Sequence, residues 1–217
     1  MSLLRFCTSL FFLTTALLSR AAVTQKDFSG VGHIYVLNSS DWRTGSPKQK
    51  VGCLDNNGRF LAEKSLDDCG TFVRLDDYPW TLSSKEGNCT FNDETTATNT
   101  DSYYGKNDHA WTCNASYSAI IYDELFTVDG FPYPFLCSGD LNCYYDAKAV
   151  PGAGDVTPMW AFRWGSQQRG ITPGHVMLQL MWSKLGDNKR ENIDIPSPRV
   201  VLKDGMQVPL QGPQVKS

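Results

Sequence analysis

Short apolar runs at strand period, each closed by turn residues, recur along the chain. Residues 31–37 (VGHIYVL) are apolar at nearly every position, and residues 70–75, 118–122, 159–164 (MWAFRW) and 175–182 (HVMLQLMW) are rich in β-branched and aromatic side chains. Runs of this length and composition predict strands. In the last of them Val176, Leu178, Leu180 and Trp182 fall on one face and Met177, Gln179 and Met181 on the other, because successive side chains of a strand alternate. No stretch sustains a 3.6-residue apolar stripe with helix caps, so the pattern predicts an all-β chain, a compact β-sandwich or barrel. Long polar loops are expected over residues 39–50 and 92–107, the second rich in Thr, Asn and Asp.

Both ends depart from this pattern. Behind Arg5, residues 10–18 (LFFLTTALL) are apolar and lead into Ser19-Arg20-Ala21-Ala22, the arrangement of a secretory signal peptide. That run is too short to span a bilayer. Beyond residue 186 the chain carries four prolines and several charges but no aromatic residue to anchor a core, and it reads as an extended tail. The expected partition is therefore a signal peptide over 1–22, one β domain over 23–186 and a tail over 187–217. Within the tail, Lys189-Arg190 is a dibasic pair that a secretory-pathway protease could cut.

Composition adds a compartment. The 217 residues carry a net charge of −3, and without residues 1–22 there remain 18 basic and 23 acidic residues, a charge of −5. With no basic cluster, phosphates find little to hold, which argues against nucleic acid. Loss of Cys7 leaves Cys53, Cys69, Cys89, Cys113, Cys137 and Cys143. An even set behind a signal peptide reads as a disulfide framework, and none of the six forms the close Cys pair of a zinc site. Spacing alone does not select a pairing; the expectation is the sequential one, Cys53 with Cys69, Cys89 with Cys113 and Cys137 with Cys143, which closes short loops. Asn38, Asn88 and Asn114 each begin an Asn-x-Ser/Thr triplet and are candidate glycosylation sites.

Candidate chemistry is sparse. His33, His109 and His175 share no motif, and the patterns of a zinc protease helix, a serine-hydrolase elbow and a phosphate loop are all absent. Asp108 adjoins His109, but sequence neighbours rarely aim at each other. The pairs Asp67-Asp68 and Asp76-Asp77 read as turn residues rather than the facing acids of a glycosidase. No catalytic residue, metal or cofactor is assigned. The aromatic residues are more suggestive, because rings in turns can stack on sugar faces or anchor an interface. Trp160, Phe162 and Trp164 stand at strand spacing, which reads first as a core face; Tyr144, Trp160 and Trp164 are the candidate ligand-binding rings.

An ordered set of segments resembles the accessory C-terminal domain of fungal ribonuclease T2 enzymes. They are Gly52-Cys53-Leu54, Gly58-Arg59-Phe60, Cys69-Gly70-Thr71-Phe72, the stretch from Trp80 through Leu82 and Gly87 to Cys89, Cys113, the stretch from Tyr144 to Gly152, and Leu178 to Trp182. The resemblance runs from about residue 31 to residue 182. Departures are the polar insert over 92–107, the stretch over 131–142 that carries Cys137, and the tail. The family cuts RNA with His-Gly-Leu-Trp-Pro and His-Glu motifs of a separate catalytic domain, and neither motif occurs here. The resemblance thus implies a small β-rich fungal domain without nuclease activity.

These readings together lead to the expectation of a secreted, non-catalytic protein that binds an extracellular ligand, either cell-wall polysaccharide or, in an effector-like role, a host protein. Alternatives are a secreted hydrolase whose carboxylates or His109 converge only in the fold, and a structural component of the cell wall.

Overall fold

The computed structural model describes residues 24–62, 64–74, 80–139, 143–164 and 170–187. The expected signal peptide, Asp76-Asp77 and the tail beyond Asp187, with its dibasic pair, lie outside the described residues. Within them the chain is all-β, broken by short 3-10 turns. The strands are β1 (Val31–Leu37), β2 (Lys50–Leu54), β3 (Phe60–Leu61), β4 (Phe72–Arg74), β5 (Leu82–Ser84), β6 (Gly87–Thr90) and β7 (Thr112–Asn114), then β8 (Leu125–Phe126), β9 (Cys137–Ser138), β10 (Tyr145–Ala147), β11 (Val156–Thr157), β12 (Trp160–Ala161) and β13 (Val176–Gly186).

β1 is the hub. β13 pairs antiparallel along its whole length, from Val31 opposite Gly186 to Leu37 opposite Gln179. The other edge of β1 is shared: its C-terminal half pairs with β2, and Val31 and Gly32 pair with β4. One arm then continues β2-β3-β11 and the other β4-β5-β6-β7. Because the two arms leave the same strand edge, the sheet curls into a half-barrel around its core. The far edge of β13 is also taken, by β10 over Val176 to Leu178 and by residues 134–136 beyond it, where the Leu136 N–H donates to the Leu180 carbonyl and the Trp182 N–H to that of Pro134.

Alternation along β1 explains its place. Ile34 and Val36 face a core that also holds Leu54, Phe60, Phe72, Leu82, Trp111, Tyr145, Leu178, Leu180 and Trp182. Each large apolar side chain buried there contributes about 1.5–3 kcal/mol. β13 is covered on both faces: the opposite side chain of Met181 packs with Leu37 and Phe135 beneath Trp42, Phe131 and Tyr133. Gln179 is buried on this second face, with no hydrogen-bond partner for either side-chain amide atom among the described residues. The β2–β3 hairpin turns at Gly58, whose φ of +84° suits a residue without Cβ; a Cβ there would also lie 2.8 Å from the Trp111 ring.

The disulfides are Cys53–Cys69, Cys89–Cys113 and Cys137–Cys143, the sequential pairing. Cys89 and Cys113 stand directly opposite each other on β6 and β7. Three bridges are the chemistry of an oxidising environment. The loops over 39–50 and 92–107 are largely without strand, as their composition predicts. Two expected strands change. The run over 118–122 is not a strand: the Asp123 carboxylate accepts the Ile120 N–H at 2.7 Å and closes a 3-10 turn, Ile121–Asp123, which leaves Ile120, Ile121 and Tyr122 exposed. In the run over 159–164 only Trp160 and Ala161 pair, with β10.

Candidate functional site

A cleft of about 520 Å³ opens on one side of the barrel, within the size range of small-ligand sites. Its walls come from segments far apart in sequence: Asn92 after β6, Tyr104 from the polar insert, Tyr122 from the 3-10 turn, Ser138 from β9, and Arg163 and Trp164 after β12. Three of its rings are open to solvent, with Tyr122 81%, Trp164 53% and Tyr104 36% exposed. Trp164 is set edge-on by Phe162 at 4.8 Å and by Tyr144 at 6.3 Å between centroids. Edge contacts of this kind orient a ring while leaving one face uncovered.

Polar ties hold the walls. Asp123, 3% exposed, accepts hydrogen bonds from the Thr90 hydroxyl, the Asn92 amide at 2.7 Å, the Tyr117 hydroxyl at 3.3 Å and the Ile120 N–H at 2.7 Å. One carboxylate thus fixes both Asn92 and the turn that carries Tyr122. The insert bearing Tyr104 is anchored at Asn99, fully buried, whose side-chain Oδ1 accepts the Asp101 and Ser102 N–H groups and whose Nδ2 reaches Asp146 at 3.4 Å. At the rim, Arg163 Nε donates to the Asp108 carboxylate, which joins the insert to the cleft.

Asp101 joins the insert to an ion cluster in which the His175 and Asp146 side chains are buried and those of Asp101 and Lys148 are exposed. His175 Nδ1 stands 3.3 Å from Asp146 and its Nε2 3.5 Å from Asp101, which Lys148 also meets at 3.0 Å. The Thr100 hydroxyl, then the Lys148 ammonium, with the His175 ring contributing, hold the Asp101 carboxyl down at about 2. Burial pushes the Asp146 carboxyl up, against the pull of His175. With the His175 side chain 4% and that of Asp146 1% exposed, the pair is an anchor for the insert and not a group presented to substrate.

The sequence-assigned rings fare unequally. Trp164 lines the cleft, and Tyr144 stands behind it, half-buried, its hydroxyl accepting the Trp42 N–H at 3.3 Å. Trp160 is withdrawn from the expected ligand surface. It is 2% exposed, donates its indole N–H to the Ala97 carbonyl and lies against His175, so no face is left for a ligand. Tyr122, Arg163 and Asn92 escaped sequence reading because they meet only through the fold.

The remaining candidates divide by burial. His33 bonds the Gly70 carbonyl at 2.8 Å, a structural contact. Asp108 turns to Arg163 and not to His109. Asp67 and Asp68 are exposed turn residues, the latter capping Ser65 and Lys64. Asn38 is exposed at the end of β1, open for a glycan. Asn88 is not: it is 8% exposed on β6 and its amide nitrogen, the atom a glycan would occupy, donates to the Tyr117 carbonyl at 3.1 Å. Asn114 is half-buried and spends its amide nitrogen on Asp93 at 2.8 Å.

The described residues hold no group of three or more His, Cys, Asp or Glu placed for a metal ion, and no helix among them is long and apolar enough to cross a membrane. No protein-family model, curated protein or solved structure matches the chain.

Proposed function

We propose that this chain is a secreted, non-catalytic fungal protein that holds an extracellular polysaccharide in the aromatic cleft. The observation that carries the reading is the convergence of Trp164, Tyr122 and Tyr104, exposed rings from three separate segments, around one opening. Flat apolar rings beside neutral hydrogen-bonding groups suit sugar rings, whose faces are C–H and whose edges are hydroxyls. The described lining residues include neither a carboxylate nor an imidazole, which favours holding a chain over cutting one. Disulfides and the apolar leader support export.

The likeness to the ribonuclease T2 accessory domain belongs to the same proposal. Asn92, Tyr104 and Ser138 all fall in the two internal stretches where this chain departs from that likeness. On this reading the departures equipped a stable β scaffold with a cleft of its own.

Retention of the purified, oxidised protein on insoluble chitin, β-glucan and cellulose tests the reading. Saturable binding to one polymer is expected, weakened about threefold to tenfold by Trp164→Ala and by Tyr122→Ala, in line with one aromatic contact. Circular dichroism checks that the variants fold. Absence of retention on every polymer rejects the polysaccharide and turns the search to a protein bound at the same rings.

A further inference from the structure

The charges around the cleft say more about what it accepts. Resting on the polysaccharide reading above, we propose that the cleft selects an uncharged glycan chain and that the Arg163–Asp108 pair is its specificity determinant. Arg163 is the one charged residue among the described lining residues, and the Asp108 carboxylate takes its Nε. The pair is net neutral, while the other polar groups of the wall, the Asn92 amide, the Ser138 hydroxyl and the phenols of Tyr104 and Tyr122, carry no charge. A uronate chain needs cations that are not already neutralised, and it would meet Asp108 as a like charge.

A neutral sugar needs something else, a donor and an acceptor side by side. The pair supplies both. Its contact uses the guanidinium Nε and one carboxylate oxygen. The Nη nitrogens of Arg163 are therefore left to donate to neighbouring hydroxyls, and the second oxygen of Asp108 to accept from them. The Arg163 side chain is 56% and the Asp108 side chain 22% exposed, and Arg163 lines the cleft next to Trp164. Asp108 directly follows the insert, so its bond to Arg163 ties the segment that carries Tyr104 to the one that carries Trp164.

Titration of the full oxidised chain by isothermal calorimetry separates the possibilities, with soluble β-glucan, cello- and N-acetylchito-oligosaccharides on one side and oligogalacturonate on the other. A neutral oligosaccharide is expected to bind with an affinity that changes less than about twofold between about 0.05 and 0.5 M NaCl, a range over which screening alters greatly. Oligogalacturonate is expected not to bind. Arg163→Met, at an exposed position that leaves the core intact, is expected to weaken the neutral ligand roughly tenfold. Asp108→Asn keeps the shape but uncovers the cation, and is expected to admit oligogalacturonate in a salt-sensitive manner. Tighter, salt-dependent binding of oligogalacturonate by the unaltered protein overturns the charge rule and leaves the polysaccharide reading standing. Unchanged neutral binding in Arg163→Met overturns the role of the pair alone. Failure of every oligosaccharide, together with the insoluble polymers, removes both proposals.

Discussion

Asp123 shows how much one side chain can hold. Four donors from two separate stretches of the chain, 90–92 and 117–120, converge on it, so its replacement by Ala leaves donors unmatched rather than removing one bond. Asp123→Ala is expected to lower unfolding free energy by about 2–4 kcal/mol, read by urea denaturation, and to weaken ligand binding even under conditions where the fold persists. Trp160→Ala is expected to cost about 3–5 kcal/mol by the cavity it leaves, which would separate it from Trp164→Ala, whose ring is half in solvent. Peptide mass mapping is expected to find glycan at Asn38 and none at Asn88, whose nitrogen is already committed. Sequence could flag the aromatic residues and the triplets at these positions, but not which were buried. Trp164 is half exposed and Trp160 buried although they stand only four positions apart, and of the two only Trp160 lies in the pairing with β10.

At the level of elements, the long apolar runs announced themselves and the short ones did not. β1 and β13 are buried along much of their length and read plainly as apolar strands. β6 and β7 are short and carry Asn, Thr and Cys, so their membership in the sheet comes from pairing and the bridge between them rather than from an apolar pattern. The run over 118–122 misled because Ile120, Ile121 and Tyr122 look like strand residues while the Asp123 cap makes a turn locally more favourable. Bridges secure what burial does not. Replacing Cys89 and Cys113 together by Ala is expected to destabilise the domain by about 3 kcal/mol, seen as a lower urea midpoint in the double variant.

For the whole molecule, acid is the revealing perturbation. Asp101 is held at about 2 against an ordinary 3.8, so its folded form stabilises the domain above 3.8 and that contribution is lost as pH falls through this window. Asp68, lowered by the Ser65 and Lys64 N–H groups, follows the same sign. So does Asp93, where hydrogen bonds from Thr95 and Asn114 outweigh burial. Asp146 runs the other way, since burial raises it and protonation relieves that cost. The melting temperature is expected to fall from pH 3.8 toward 2, with Asp101→Asn less stable than the native chain above 3.8 and the gap closing at the acid end. The all-β class was legible from alternation and the presence of bridges from cysteine parity, whereas the cleft was not: its lining residues are separated by up to 73 positions, Phe91 to Trp164, and no local pattern encodes that meeting.

The place of β13 carries a consequence for biogenesis. Its partner on one side begins at Val31, yet β13 itself ends at Gly186, so the hub of the barrel is completed only when nearly the whole domain has left the ribosome. Contacts so distant along the chain make for slow assembly. During that wait Leu178, Leu180 and Trp182 have no counterpart to cover, and the inner side of β1 stays bare. Each bridge, by contrast, joins cysteines no more than 24 positions apart and needs only chain already delivered. An oxidising environment would let the three local loops lock early, while the strand that unites the two arms arrives last.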